Sequence, residues 1–298
     1  MKGKNNNGNS DCVHVSLILV RYCEIGLKST PVRRRFEAIL KENMLSMLAS
    51  DGIEALITYA DARYFIETDD IDGCVNSVKK VFGIASLSVA EECTSDMEDI
   101  CRNAADYSVG RISKGQSFAV KVRREGTHPY TSMDVGREAG SAIFLRNEDI
   151  GVKVDLTDSE KIFYIEVRNN KAYIFDSYIG CPGGLPLGSQ GRVFADISDR
   201  RGMVSAWMMM KRGCRAMVHG DCDIDLLKEY DPALRSLTDE EIEGGNIKEI
   251  MGMVLGTPLE GLVSVDVSKY DIPVYFPTIG MTDDDVNGLY EQIKNVDF

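Results

Sequence analysis

The stretch VSLILVRYCEIGLKSTPVRRRF, residues 15–36, decides the fold of the first part of the chain. Its first seven residues, 15–21, are apolar and rich in β-branched side chains, which predicts a strand. Thr30 and Pro31 predict the start of a helix, with Thr30 as the N-cap and Pro31 at the first helical position. Apolar residues recur at helical spacing from Phe36 onward, so a long helix is expected to follow the strand.

The residues that follow extend this pattern into a small domain. Two short strands are predicted within residues 56–68, a helix over 72–82 and a strand over 84–90. The order strand, helix, two strands, helix, strand is that of a ferredoxin-like fold. We therefore predict a ferredoxin-like domain over residues 13–90, preceded by a disordered tail over residues 1–12.

A second unit is predicted over residues 91–180. It contains two helices and several strands, and Asn169-Asn170 predicts a hairpin between the last two strands. Residues 181–191 (CPGGLPLGSQG) are rich in glycine and proline, which predicts a linker.

The remaining residues, 192–298, predict an α/β sheet domain. A strand is followed by a turn over residues 199–202 and then by an apolar helix. Strands are expected at residues 262–267 and 273–276, and a final helix is expected from Thr282.

Charge is distributed unevenly along the chain, whose net charge is −13. Residues 214–298 hold 18 acidic and 6 basic side chains, whereas residues 1–213 hold 29 and 28. The nearly neutral front therefore has room for local basic clusters that bind a phosphate backbone. The acidic third is better suited to a protein partner or a homodimer contact than to RNA.

Cysteine spacing and hydropathy exclude several classes of protein. None of the 8 cysteines forms a C-x-x-C pair, and the 3 histidines are not at zinc spacing from them, so no metal site is predicted. No apolar run is long enough to cross a bilayer, so no membrane partner is expected. The tail has no export signal, which favours a reduced, cytoplasmic protein.

Basic residues surround the predicted turn between the first strand and the first helix. They are Arg21, Lys28, Arg33, Arg34 and Arg35. Cationic side chains beside a helix N-terminus can hold phosphate groups. The alternative is an ordinary solvated helix face, which is the usual role of a charge run.

The same stretch resembles the opening of the tRNA 4-thiouridine synthetases, a family also named for thiamine thiazole biosynthesis. Members begin with R-Y-x-E-I-x-L-K-S, then R and F. This pattern is matched by Arg21, Tyr22, Glu24, Ile25, Leu27, Lys28, Ser29, Arg33 and Phe36. Residues 118–136, 183–191 and 273–281 resemble later segments of the family. The resemblance implies a THUMP RNA-binding domain over 91–180 and a reduced Rossmann-like PP-loop domain over 192–298.

The resemblance implies that tRNA is the partner of the first two domains. The residues then expected to contact tRNA are Arg21, Lys28, Arg33, Arg34, Lys121, Arg123 and Arg124. Their contacts would be to phosphates, so binding is expected to depend strongly on salt.

The family activates uridine with ATP through a PP-loop, S-G-G-x-D-S, in which glycines let backbone N–H groups approach the pyrophosphate. The corresponding residues here are Ser198, Asp199, Arg200, Arg201 and Gly202. Only Ser198 matches, and Asp199 places negative charge where phosphates would lie. Arg200 and Arg201 are expected to attract an anion, although side chains do not reproduce a backbone cradle.

Further differences from the family lie in the same domain. Residues 252–258 stand where the family has G-Q-V-A-S-Q-T and lack both glutamines. The region between His219 and Gly252 is shorter than in the family, and no cysteine before Phe298 matches the sulfur relay. No catalytic residue is therefore assigned.

Three hypotheses remain open from the sequence. The first is a tRNA-binding protein that has lost or impaired ATP-dependent thiolation. The second is an active ATP-dependent tRNA sulfurtransferase that forms 4-thiouridine with an external sulfur carrier, with ATP and Mg as cofactors. The third is a structural role without RNA.

Overall fold

The computed structural model of the protein describes residues 16–243 and 250–298, and the predicted tail over residues 1–12 lies outside them. The described residues form two compact units. One comprises residues 16–17 and 89–177, and the other comprises residues 18–88 together with 178–298. In the described part of the chain, no helix is both long and apolar enough to span a bilayer.

The first domain has the predicted order of strands and helices. Its elements are β1 (Ser16–Tyr22), α1 (Thr30–Ser50), β2 (Leu56–Ala60), β3 (Arg63–Glu67), α2 (Ile71–Val78) and β4 (Ile84–Thr94), with a short 3₁₀ helix at Glu24–Leu27. The strands lie in the order β2-β3-β1-β4, and β3 pairs antiparallel with both β1 and β2. This arrangement confirms the ferredoxin-like prediction.

Two details of this domain differ from the sequence prediction. Ser29, not Thr30, is the N-cap of α1, and its side chain makes no capping hydrogen bond. The second helix ends at Val78 and not at Phe82. The chain turns after Val78, and this turn lets Phe82 enter a hydrophobic core, where it is 1% exposed.

The unit of residues 89–177 packs two helices on one sheet. Its further elements are α3 (Met97–Ser108), β5 (Ser117–Glu125), α4 (Ser132–Arg146), β6 (Lys153–Val154), β7 (Lys161–Arg168) and β8 (Lys171–Phe175). Strand β5 is parallel to β7, and β7 pairs antiparallel with β8. Asn169 has a φ of 50°, as a tight hairpin turn requires, so the predicted hairpin is confirmed.

Residues 192–298 form a parallel sheet with helices between its strands. The remaining elements are β9 (Ile179–Gly180), β10 (Arg192–Asp196), α5 (Arg200–Lys211), β11 (Arg215–His219), α6 (Ile224–Lys228), β12 (Arg235–Ser236), α7 (Asp239–Glu243), β13 (Ile250–Val254), β14 (Val274–Tyr275) and α8 (Asp283–Asn295). The strand order is β12-β11-β10-β13-β14, and each neighbouring pair is parallel. The α/β prediction is confirmed.

The strand predicted over residues 262–267 is wrong. That stretch lies in two 3₁₀ helices, Leu259–Ser264 and Val267–Lys269. Its apolar side chains do not alternate between a core and solvent, because Val263 is 94% exposed. The sheet position between β10 and β14 is taken by β13, a strand that the sequence pattern did not predict.

Phe82 links the ferredoxin-like domain to the core of residues 192–298, within a single compact unit. Its ring centroid lies 5.4 Å from that of Trp207 and 5.5 Å from that of Tyr230. Leu187, from the predicted linker, joins the same core. Cys181 and Leu185 join the core of the ferredoxin-like domain, so the predicted linker is a packed segment.

We expect Phe82→Ala to lower the free energy of unfolding of this unit by about 3–5 kcal/mol, because it leaves a cavity between two large rings. Chemical denaturation monitored by tryptophan fluorescence measures the loss. Leu27→Ala is the control, since Leu27 is 89% exposed and its loss should cost less than about 0.5 kcal/mol. A loss for Phe82→Ala no larger than that of the control would contradict the role given to this ring.

Candidate functional site

The loop between β10 and α5 is closed by its own side chains. The carboxylate of Asp199, the N-cap of α5, accepts a hydrogen bond of 2.7 Å from the backbone N–H of Gly202. That N–H is one of the amides at the start of a helix that have no carbonyl partner within the helix and can bind an anion. The helix therefore carries a negative charge at the end where a phosphate would be stabilised.

Ser198 also forms hydrogen bonds within the loop. Its backbone N–H donates to Oδ1 of Asp196 over 2.9 Å, and its hydroxyl donates to the same oxygen. This is the local turn that aspartate commonly forms with the residue two positions later. Two carboxylates, Asp196 and Asp199, therefore border the loop.

Arg200 and Arg201 lie in the first turn of α5, not in a preceding turn as predicted. Arg201 is 8% exposed, and its guanidinium group donates to the carbonyls of Thr278 and Met281 and to the carboxylate of Asp283. Arg200 donates to Asn287 Oδ1 over 2.7 Å and lies over the ring of Tyr290.

The expectation that these two arginines attract an anion at the loop stays a prediction, and their hydrogen bonds do not support it. Both guanidinium groups are directed toward α8 and the residues just before it. Their hydrogen bonds fix the end of the domain against the start of α5.

Backbone fills the space beside the start of α5. A Cβ placed on Gly256 would lie 2.3 Å from the backbone nitrogen of Gly202, and one placed on Gly202 would lie 2.3 Å from the carbonyl oxygen of Asp196. Gly256 lies within residues 252–258, the segment that the sequence resemblance matches to the family's glutamine motif. Only glycine permits these approaches, and they leave the first turn of α5 covered by the chain itself.

The surroundings of the two cysteines near the loop disfavour the thiolate form. Burial raises the pKa of the Cys214 thiol, and burial together with the Asp223 carboxylate raises the pKa of the Cys222 thiol. Because the thiolate is the reactive form, neither residue is primed to carry sulfur. Across residues 16–243 and 250–298, no group of three or more His, Cys, Asp and Glu side chains is arranged to hold a metal ion.

Arg21 does not lie at the surface. It is 8% exposed, its Nη1 donates to the Ser88 hydroxyl over 3.0 Å, and its guanidinium lies over the ring of Tyr178. Its prediction as an RNA contact is corrected for this reason, because the side chain is committed to the interior of its unit.

The other basic residues of the first domain surround the start of α1. Lys28 and Arg34 are exposed, and Arg33 is half-buried. Arg33 Nε lies 2.8 Å from Oε1 of Glu37, one turn further along the helix. Ser29 makes no side-chain cap at the start of this helix, and the positive end of the helix dipole favours an anion there.

In the unit of residues 89–177, the basic residues of β5 are divided between the two faces of the strand. Val120 and Val122 face α4, where they meet Gly140 and Gly136, so Lys121 and Arg123 project from the opposite face and are exposed.

Arg124 follows Arg123 and lies on the α4 face of the strand. Its Nη1 donates to the Gly126 carbonyl over 3.0 Å and lies 3.3 Å from Nδ1 of His128. Lys121 and Arg123 therefore share one face, whereas Arg124 lies on the other and holds the loop after β5. The predicted contact of Arg124 with tRNA stays a prediction.

Comparison with known proteins agrees with this architecture. Residues 17–88 match the family model of the ThiI ferredoxin-like domain, and residues 94–175 match that of the THUMP domain. A probable tRNA sulfurtransferase of Methanosarcina acetivorans is 40% identical over 202 residues, which cover 66% of this chain and 49% of the relative. The chain spans about half the length of the curated relatives it matches.

Two solved structures share the fold. PH1313 from Pyrococcus horikoshii has a TM-score of 0.78 and 25% identity, with 94% of this chain and 99% of that chain covered. A 4-thiouridine synthetase solved in complex with RNA and with bound ATP has a TM-score of 0.77 and 20% identity, with 94% and 85% covered. Through its ferredoxin-like and THUMP domains, the chain belongs to the tRNA 4-thiouridine synthetase family.

Proposed function

We propose that this chain binds tRNA through its ferredoxin-like and THUMP domains and does not activate the RNA with ATP at residues 198–202. The observation that carries the proposal is the opposite electrostatic character of two helix starts. The start of α1 has exposed cations around it and no capping side chain, whereas Asp199 caps the start of α5. RNA phosphates are attracted to the first start, and ATP phosphates are repelled from the second.

The choice of tRNA rests on the relatives. They are named tRNA sulfurtransferases, and the 4-thiouridine synthetase of similar fold was solved with RNA. We assign the RNA-binding part to residues 13–90 and 91–180. The acidic domain over residues 192–298 then serves as a scaffold, and as the docking face for a protein partner or for a second copy of the chain.

Within the THUMP domain, Lys121 and Arg123 form the surface that we expect to contact the phosphate backbone. They are two positions apart on one strand, so their side chains leave the same face about 7 Å apart. Both are exposed and so can reach RNA without rearrangement of the sheet.

We expect the double substitution Lys121→Glu with Arg123→Glu to weaken binding of total tRNA at least about 10-fold near physiological salt and to lower the salt slope by about 2. Two lost phosphate contacts produce both changes. Filter binding over a series of salt concentrations measures affinity and slope together.

The matched control is Arg137→Glu with Arg146→Glu. It makes the same change in net charge on α4, which packs on the opposite face of β5, and both side chains are exposed. Equal loss of affinity in the two double variants would contradict the assignment of the β5 face, and no loss in either would contradict RNA binding by this domain.

ATP is expected to leave the thermal stability of the protein unchanged. A nucleotide present at about 100 times its Kd would add about 2.7 kcal/mol to the free energy of unfolding. Differential scanning calorimetry with and without ATP and Mg, together with an assay for adenylated tRNA, measures this. A stabilisation of that size, or any adenylated tRNA, would favour the active sulfurtransferase instead.

Asp199→Ala provides the companion test of the cap. Removal of the carboxylate is expected to cost about 0.5–2 kcal/mol of stability, because the Gly202 amide loses its acceptor. Were the loop a nucleotide site, the same substitution would remove repulsion, and ATP would then stabilise the variant more than the parent protein.

A further inference from the structure

A cluster of aromatic and charged side chains lies at the edge of the ferredoxin-like sheet. Tyr59 is on β2, the edge strand in the order β2-β3-β1-β4, and is 41% exposed. Arg33 and Glu37 are on α1, one helical turn apart. Tyr22, at the end of β1, completes the cluster. The sequence motif drew attention to Tyr22 and Arg33 but not to Tyr59, which the packing of β2 beside α1 brings to them.

One carboxylate oxygen holds the cluster together. Oε1 of Glu37 accepts hydrogen bonds from Arg33 Nε over 2.8 Å, from the Tyr22 hydroxyl over 2.8 Å and from the Tyr59 hydroxyl over 2.7 Å. Arg33 Nη2 also donates to the Tyr59 hydroxyl over 3.3 Å. Burial alone would raise the pKa of Glu37, but the hydrogen bonds from Arg33 and the two tyrosines outweigh it and lower the pKa. Near neutral pH the carboxylate is thus ionised and is balanced by Arg33.

The Tyr59 ring is held on one side by the core. Its centroid lies 5.0 Å from that of Tyr64, which is 2% exposed. Because the ring is backed by a buried neighbour and tied at its hydroxyl, it has few alternative positions. The exposed part of the ring is therefore a preorganised aromatic surface with a guanidinium group beside it.

The chemistry of this surface selects its occupant. Unpaired bases bind to proteins by stacking on aromatic rings and on guanidinium planes, while bases inside a duplex have no free faces. Arg34 is exposed on the same helix as Arg33, and both lie near the uncapped start of α1, so negative charge is favoured beside the ring. An acidic peptide would satisfy the cations but would make no use of the exposed part of the Tyr59 ring.

We propose that Tyr59 and Arg33 form a stacking platform for an unpaired nucleotide of the bound RNA, with Arg34 at the adjoining phosphate. This inference rests on the proposed binding of tRNA and adds to it the recognition of a single-stranded segment. Glu37 accepts hydrogen bonds from both groups and is assigned no contact with RNA.

The test compares three substitutions at one position. Tyr59→Ala removes the ring, Tyr59→Phe keeps the ring without its hydroxyl, and Tyr59→Trp keeps a stacking surface. Tyr275→Ala is the matched control, because Tyr275 is 38% exposed and lies in the α/β domain. The probes are total tRNA, a short uridine-rich single strand and a blunt-ended RNA duplex, and fluorescence anisotropy measures their affinities.

We expect Tyr59→Ala to weaken binding of tRNA and of the single strand by about 5- to 100-fold, the loss that follows removal of one stacked base contact. Tyr59→Phe and Tyr59→Trp should stay within about 3-fold of the parent protein, since stacking is retained. The duplex should bind all variants equally, and a circular dichroism spectrum equal to that of the parent protein shows that Tyr59→Ala is folded.

Several results would overturn the inference. Unchanged affinity of Tyr59→Ala for tRNA would do so, and so would an equal loss in Tyr59→Phe, which would assign the effect to the hydroxyl. A parallel loss with the duplex would exclude an unpaired nucleotide. If the parent protein binds none of the three RNAs, the proposed function itself fails, and this outcome is distinct from failure at Tyr59.

Discussion

The packing of Phe82 between Trp207 and Tyr230 is the interaction on which much of the structure depends. It places one residue of the ferredoxin-like domain inside the core of the α/β domain, while the ferredoxin-like domain keeps a core of its own around Leu40 and Ile66. Loss of the α/β core would therefore expose Phe82 and remove the packing that joins the two domains.

The positive N-terminal ends of helices α1 and α5 have different hydrogen-bond partners in this protein. At α1 the amides have no capping side chain and stand beside exposed arginines. At α5 the amide of Gly202 is satisfied by Asp199, and the nearby arginines bind α8 instead. Local hydrogen bonds, not the number of positive charges in a segment, thus decide whether a helix start can attract an anion.

The sequence predicted most of the fold because local signals and tertiary contacts agree there. The strand and helix around Pro31 and the hairpin at Asn169 are examples, since each follows from residues close together in the chain. The prediction of a strand near Val263 was wrong because the apolar residues of its alternating pattern are not buried.

The candidate site was harder to predict than the fold. The burial of Arg21 and the face taken by Arg124 depend on partners far along the chain or on the register of β5, and spacing does not encode these. The hydrogen bonds of Arg201 could not be predicted from spacing either, because their acceptors lie about 80 residues further along the chain. Only packing revealed Tyr59, because nothing in its local sequence sets it apart from other strand tyrosines.

The contact between Gly256 and Gly202 couples two segments that are distant in the chain. The backbone after β13 lies directly against the start of α5, so a side chain at Gly256 fits only if one of the two segments moves. The tolerance of one position to substitution therefore depends on where the backbone of the other lies.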